Sequence, residues 1–325
     1  MSLWKEITHI DTLQYSDSSE ISPDKIFCIN CCYQLDESSR SRNGSVLLIK
    51  FDNKSARVVG GLSDIDGILD CCWVSSNQFI LASSLGTLYF CSHEPTSIKI
   101  EQKVSITENS LCLSVDCHSD KIICSNSLGE VAILNSKREV LFQEIVHRFE
   151  CWVGHLSRHE ENLFYSGGDD CKFNGFDLRC VDKKLFSNRL EMGCTSIQSH
   201  PTDANLVSTG SYDGQLRIWD LRQLKQPIRT FETDGGIWRH KWCPTGNPLV
   251  LVAGMHAGFS VVCTDRQASD DCLIRMQQTG SSDSLAYGAD WLAADAMIAG
   301  DRCHHYLVTA SSFYDHRWSL SELFL

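Results

Sequence analysis

The sequence is short of several things, and each shortage excludes a class of protein. Only 6 of its 325 residues are Pro, so it is not a Pro-rich linker. No apolar run approaches the ~18–20 residues that a membrane-crossing helix needs. The opening MSLWKEITHIDTLQYSDSSE lacks a basic stretch followed by an apolar one, so no signal peptide is expected. Positive charge is scarce: 29 Lys and Arg stand against 41 Asp and Glu, a net charge of −12. Phosphate binding needs clustered cations, so no nucleic-acid partner is expected, whereas the acidic balance suits a cationic group or a basic protein surface. There is no G-x-S-x-G nucleophile elbow and no H-E-x-x-H zinc helix.

Cysteine, by contrast, is abundant. The 17 Cys are odd in number, and many lie inside apolar runs, among them Cys71, Cys72, Cys91, Cys112, Cys124 and Cys263. Without an export signal they read as reduced thiols acting as small hydrophobes. Cys28-x-x-Cys31 has no second pair at a zinc-site spacing and reads as part of a buried strand, so no metal and no cofactor are expected.

The dominant signal is a repeat. An apolar strand, a small or polar turn and a second apolar strand recur in FILASSLGTLYF, KIICSNSLGEVAIL, LFYSGGDDCKFNGFD, NLVSTGSYDGQLRIWD, LVLVAGMHAGFSVV and YLVTASSFYDHRWSL. The turns fall at Gly86, Gly129, Cys171, Gly214, Gly258 and His316, with a degenerate first copy turning at Gly44. Successive steps are 42, 43, 42, 43, 44 and 58 residues, the last lengthened by an insertion around Ala293 to His304. A period of ~40–45 residues is that of a WD-repeat blade, and Trp219-Asp220 is the WD dipeptide itself. Length alone suggests about two domains. The repeat instead predicts one all-β domain over 1–325, a seven-bladed WD-repeat propeller whose blades lie near 26–52, 68–92, 111–136, 150–179, 194–222, 236–264 and 286–322. Glu6 to Gln14 is expected to supply the outer strand of the last blade.

In such a ring the loops entering the inner strands and the turns between second and third strands share one face. Glu150, Trp152, Gly236, Trp238, Tyr287 and Asp290 come from the first set. Asp169, Asp170, Tyr212, Asp213, His256, Tyr314, Asp315 and His316 come from the second. Asp170, Asp213 and Asp315 share one repeat column, where an Asp orders its turn. Asp169 and His256 stand where other copies have Ser84 and Ser127, and His316 stands where most have Gly. Trp238 and Tyr287 share another column, with Trp152 in register to within about one residue, and the fifth copy has Thr195 there. Three aromatics at one channel mouth read either as blade packing or as a collar, and ring faces with nearby carboxylates suit a quaternary ammonium group.

From the fourth repeat onward the chain resembles the diphthine methyl ester hydrolase family of diphthamide biosynthesis. The matching segments are His147-x-x-Glu150-x-Trp152, YSGGDD at 165–170, GGIWRHKW at 235–242, MHAGF at 255–259, DSLAYGADW at 283–291 and SSFYDH at 311–316. The first three repeats match only as WD repeats. Phe176-Asp177 and Cys243-Pro244 depart from the family's usual Trp-Asp and His-Pro. The resemblance implies a cytoplasmic enzyme whose protein substrate is translation elongation factor two. A modified histidine there carries a trimethylated amino-carboxypropyl group with one methyl too many, on its carboxylate. Removing that ester readies the carboxylate for amidation. The chain is read as a monomer that needs no cofactor and binds neither nucleic acid nor membrane.

Two hydrolytic schemes fit the residues. In one, His256 or His316 is a general base on water, oriented by Asp169 or Asp290, with His147 and Glu150 as a further acid/base pair. In the other, Ser312 or Ser284 attacks directly. Amides at Gly167-Gly168 or Gly235-Gly236 are candidates to hold the oxyanion. Trp152, Trp238, Arg239, Tyr287, Tyr314 and Asp315 are the substrate-binding candidates. His304-His305 and His155 with His159 are ligands by type, but they lack a third partner. The rival class is a non-catalytic adaptor or trafficking scaffold. Phe176-Asp177-Leu178-Arg179 and Trp219-Asp220-Leu221-Arg222 resemble the motif by which some WD proteins dock onto cullin–RING ubiquitin ligases.

Overall fold

The structure, a computed structural model, describes residues 4–52, 55–265, 273–275, 284–293 and 305–325. Alternating apolar positions fold these residues into short antiparallel strands. The first three blades comprise β2 to β5 (Tyr15–Ile21, Phe27–Leu35, Arg42–Asp52, Ser55–Asp66), β6 to β9 (Ile68–Trp73, Gln78–Ser83, Thr87–Glu94, Ser97–Ser105) and β10 to β13 (Cys112–His118, Lys121–Asn126, Glu130–Asn135, Val140–Ile145). The next three comprise β14 to β17 (Cys151–Leu156, Leu163–Gly168, Lys172–Asp177, Phe186–Arg189), β18 to β21 (Cys194–Ser199, Leu206–Ser211, Gln215–Asp220, Arg229–Glu232) and β22 to β25 (Arg239–Trp242, Leu249–Ala253, Phe259–Cys263, Leu273–Arg275). The seventh joins β26 to β28 (Ala286–Ala293, His305–Ser312, Arg317–Phe324) to β1 (Trp4–Asp11). β1 runs antiparallel to β28, from Trp4 opposite Leu323 to Asp11 opposite Arg317.

A single blade cannot bury both faces, so neighbours supply the cover. Seven apolar clusters result, one in each gap between adjacent blades. At the seam of first and last blades, Cys28, Ile49 and Ala56 pack against Trp318 and Leu320. Cys28, Cys31 and Cys32 are all free thiols and buried, the first two against different neighbouring blades.

The turns explain the repeat column. Gly86, Gly129, Cys171, Gly214, Gly258 and His316 all have φ between 53° and 81°, and each N–H donates to the carbonyl three residues earlier. His316 thus occupies a left-handed turn position, which His tolerates better than most residues. The first blade is an exception. Its second and third strands run further, the turn falls at Asp36 to Ser41, and Arg40 is the left-handed residue with φ 54°. Gly44 is therefore not a turn residue. It lies within β4 opposite Tyr33, where a Cβ would meet the Asp66 carbonyl. This blade also begins earlier than expected, at Tyr15. The expected insertion before the last turn lies outside the described residues, save for Ala293, which ends β26.

Candidate functional site

One backbone device builds the mouth of the channel. In six blades the ladder between first and second strands slips by one residue, leaving Asp17, Leu69, Leu113, Trp152, Thr195 and Tyr287 as extra residues. Trp238 holds the same register in the remaining blade, just before Arg239 pairs with Ala253. A bulge re-aims the side chain it carries, and here it gathers rings from separate blades. Trp152 and Trp238 lie 5.5 Å apart at 63°, and Trp238 stacks on Tyr287 at 4.7 Å and 22°. Phe313 continues the arc 4.8 Å from Tyr287, with Tyr33 and Tyr15 5.5 and 4.6 Å beyond it. Thr195 turns away, its hydroxyl donating to the Ile237 carbonyl, and Tyr212 from the next turn fills its place 6.1 Å from Trp152 and 6.2 Å from Trp238. Trp152 and Trp238 are both half-buried.

Several candidates join this arc. The Trp152 indole N–H donates to Asp169 Oδ1 at 3.1 Å, and the Arg239 guanidinium lies 5.6 Å from the Trp238 ring. Tyr314 meets Tyr15 and Phe313 edge-on at 5.7 and 5.1 Å, and His316 meets Tyr15 edge-on at 4.7 Å. Glu150 sits at the entry of β14, its carbonyl accepting from Asp169 N–H at 2.9 Å. His256 is exposed on its turn. Among the described residues no hydrogen bond joins His256 or His316 to Asp169 or Asp290, so the expected base–carboxylate pairs are not assembled.

Other candidates are placed elsewhere. His147 is only 3 % exposed, with Nδ1 2.7 Å from Asp170 Oδ1 and Nε2 2.8 Å from Ser166 Oγ. Both ring nitrogens are committed, so His147 ties the turn to the blade and does not face the mouth. His147→Ala is expected to cost about 1–3 kcal/mol of stability by stranding Asp170 and Ser166, read by urea unfolding. Asp290 lies deeper in the channel, accepting from Ile21 N–H and Trp291 N–H at 2.9 Å each. Ser284 is fully buried, and with Ser312 it is spent ordering the Asp315 turn: Ser312 Oγ is 2.8 Å from Asp315 Oδ2, and Asp315 N–H donates to Ser284 Oγ at 3.1 Å. Gly167 and Gly168 lie inside β15, where Cβ atoms would collide with Cys194 and His147, so this pair serves packing and not an oxyanion. Gly235 and Gly236 remain in the loop before β22. His304 and Asp283 lie outside the described residues. His305 stacks on Phe324, and the His159 Nε2–H donates to the His200 carbonyl at 2.7 Å. Arg179 and Arg222 are exposed, each folded back onto its own Asp177 or Asp220.

Below the mouth the inner strands line a cavity of about 200 Å³. Its upper tier includes Asp70, Ser114, Ser196 and Arg239, and its lower tier Glu20, Asp116, His155 and Lys241. Arg239 reaches Asp70 Oδ1 at 3.4 Å, and Lys241 pairs with Glu20. Asp116, His155 and Ser199 superficially form a nucleophilic triad, with contacts of 3.0 and 3.1 Å. However, the Ser199 backbone N–H already donates to His155 Nε2 at 2.9 Å, and burial pushes the imidazole pKa down. Its lone pair is occupied, so this trio is structural.

The sequence reading missed Asp17. It is 4 % exposed, and its Oδ1 has no hydrogen-bond partner. Burial pushes its pKa up to about 8, with Arg239 opposing and Asp70 adding to the shift.

No protein-family model matches the chain. It is 36 % identical over 255 residues to a diphthine methyltransferase homolog of Dictyostelium discoideum, an alignment covering 69 % of each chain. It is 33 % identical over 281 residues to the diphthine methyltransferase of Homo sapiens, covering 77 % of this chain and 62 % of the human one. Among solved structures, the WD40 propeller domain of Doa1 superposes with a TM-score of 0.75 at 12 % identity, covering 99 % of this chain and 97 % of that one.

Proposed function

The chain belongs to the diphthine methyltransferase family, and we propose that it removes the methyl ester from methylated diphthine on translation elongation factor two. The carrying observation is the half-buried arc of Trp152, Trp238 and Tyr287 at the channel mouth. A trimethylammonium group is large, weakly hydrated and positive, so ring faces bind it where a single carboxylate would have to be desolvated. Arg239, between that arc and the acidic channel, suits the other end of the same amino-acid side chain, where ester hydrolysis creates a carboxylate. The relatives' name describes methyl transfer. Hydrolysis differs in that water attacks the carbonyl carbon and the methyl leaves as methanol. The proposal carries with it a cytoplasmic monomer acting without a cofactor.

Incubating the chain, in catalytic amount, with elongation factor two bearing the methylated intermediate is expected to release methanol over many turnovers. Arg179→Ala and Arg222→Ala should leave that turnover intact. Tight binding without methanol release would move the protein to the adaptor class.

A further inference from the structure

We propose that Asp17 is the general base of this reaction: its carboxylate takes a proton from the water that attacks the ester carbonyl, while Arg239 holds the oxyanion. The inference rests on the hydrolase reading above. Its ground is geometric. Asp17 occupies the bulge position that elsewhere carries Trp152 and Tyr287, so the same backbone device places a carboxyl beside the rings. The side chain is more than nine-tenths buried, yet Oδ1 lacks a donor. A buried acceptor without a partner costs free energy that a purely structural position would have removed. At an active site a water or substrate group supplies the missing donor.

The charged and titratable neighbours come from every packed element. Asp70 faces Asp17 from β6, Arg239 from β22, Tyr33 and Cys32 from β3, and Tyr287 from β26. Burial, the largest influence, holds the carboxyl near a pKa of about 8, far more basic than an ordinary Asp. A base titrating near the working pH is the efficient one. The chemistry balances. Asp17 takes one proton as the water oxygen bonds to the carbonyl carbon. The tetrahedral oxyanion collapses, the carbon–methoxide bond breaks, and the proton on Asp17 passes to the departing methoxide. The products are a carboxylic acid, which loses its proton to solvent to become the carboxylate, and methanol, and the base is regenerated.

The free protein's base governs kcat/KM, which should therefore rise with pH to a plateau above about 8. Bound trimethylammonium favours the ionised carboxyl, so the rise in kcat should fall at lower pH. Asp17→Asn keeps the shape and removes the base. It is expected to lower kcat by about 10²–10⁴-fold, to leave KM within a few-fold, and to abolish the rising limb. Stability separates this from a structural role. The folded-state pKa is raised, so the folded protein holds a proton that the unfolded chain has lost, and stability falls as pH climbs from the ordinary Asp range to about 8. Asp17→Asn should therefore melt no lower than the parent at pH 8, whereas loss of a structural carboxylate would lower the melting point. If the variant fails to fold, the parent's pH profile decides alone: a kcat/KM flat across pH 6–9 overturns the proposal. A parent that turns over with an equally active Asp17→Asn overturns the base and spares the hydrolase. A parent that releases no methanol overturns both.

Discussion

Trp238→Ala should lower kcat/KM for the methylated elongation factor by about 100-fold. Trp238 sits at the middle of the arc, between Trp152 and Tyr287, and lies near Arg239. A cation desolvated against a Trp face gains about 2 kcal/mol. The stacked partner contributes about 1 kcal/mol more by holding the ring in place. Together they amount to about 3 kcal/mol, or about two powers of ten in affinity. The trimethylammonium is not the reacting centre and is held alike before and during the reaction, so the loss should appear in KM with kcat retained. Trp238→Phe keeps a ring face and should recover most of the affinity. Trp238 is only half-buried, so the fold should survive either change. Unchanged KM in the alanine variant would remove the arc from substrate recognition.

Trp318→Ala should be the most damaging single change to the fold. Trp318 has no exposed surface and fills the seam where the last blade meets the first, against Cys28 and Ile49. Its indole N–H donates to Ser19 Oγ at 3.1 Å, on the strand that also carries Asp17. Truncating a buried Trp costs about 3–5 kcal/mol, much of the ~5–15 kcal/mol by which folded domains exceed their unfolded chains. The urea midpoint should fall sharply with little change in slope. A shift worth under about 1 kcal/mol would mean that this seam is not packed as described.

The architecture was legible because it repeats. One turn geometry, demanding a left-handed residue, recurs at Gly86, Gly129, Cys171, Gly214, Gly258 and His316, and the near-constant spacing of the first five reveals the blade repeat. The shared column of Trp152, Trp238 and Tyr287 was legible for the same reason. Gly44 misled because the first hairpin is longer than its sister copies, so a Gly needed for close strand approach resembled a turn. Asp17 was invisible for a related reason. Its strand reads Tyr-Ser-Asp-Ser-Ser-Glu-Ile, with almost no apolar alternation, because its residues face the polar channel and small-residue contacts rather than an apolar gap. Once the bulge register is carried to that strand, Asp17 falls in the aromatic column. His147 and Ser312 have the residue types of catalysis, and only the geometry reveals that their polar atoms are committed to turns and blades. The Asp116, His155 and Ser199 trio could not be found by spacing, since its members come from three blades.

The central claim is that water attacks an ester carbonyl at the mouth of this propeller, and labelled water tests it most directly. Methylated elongation factor two would be turned over in water enriched in heavy oxygen, and the modified histidine peptide analysed by mass. The account predicts one heavy oxygen in the new carboxylate and none in the released methanol. A demethylated peptide without label would mean that the methyl–oxygen bond breaks instead, as in transfer to another acceptor, and would contradict it.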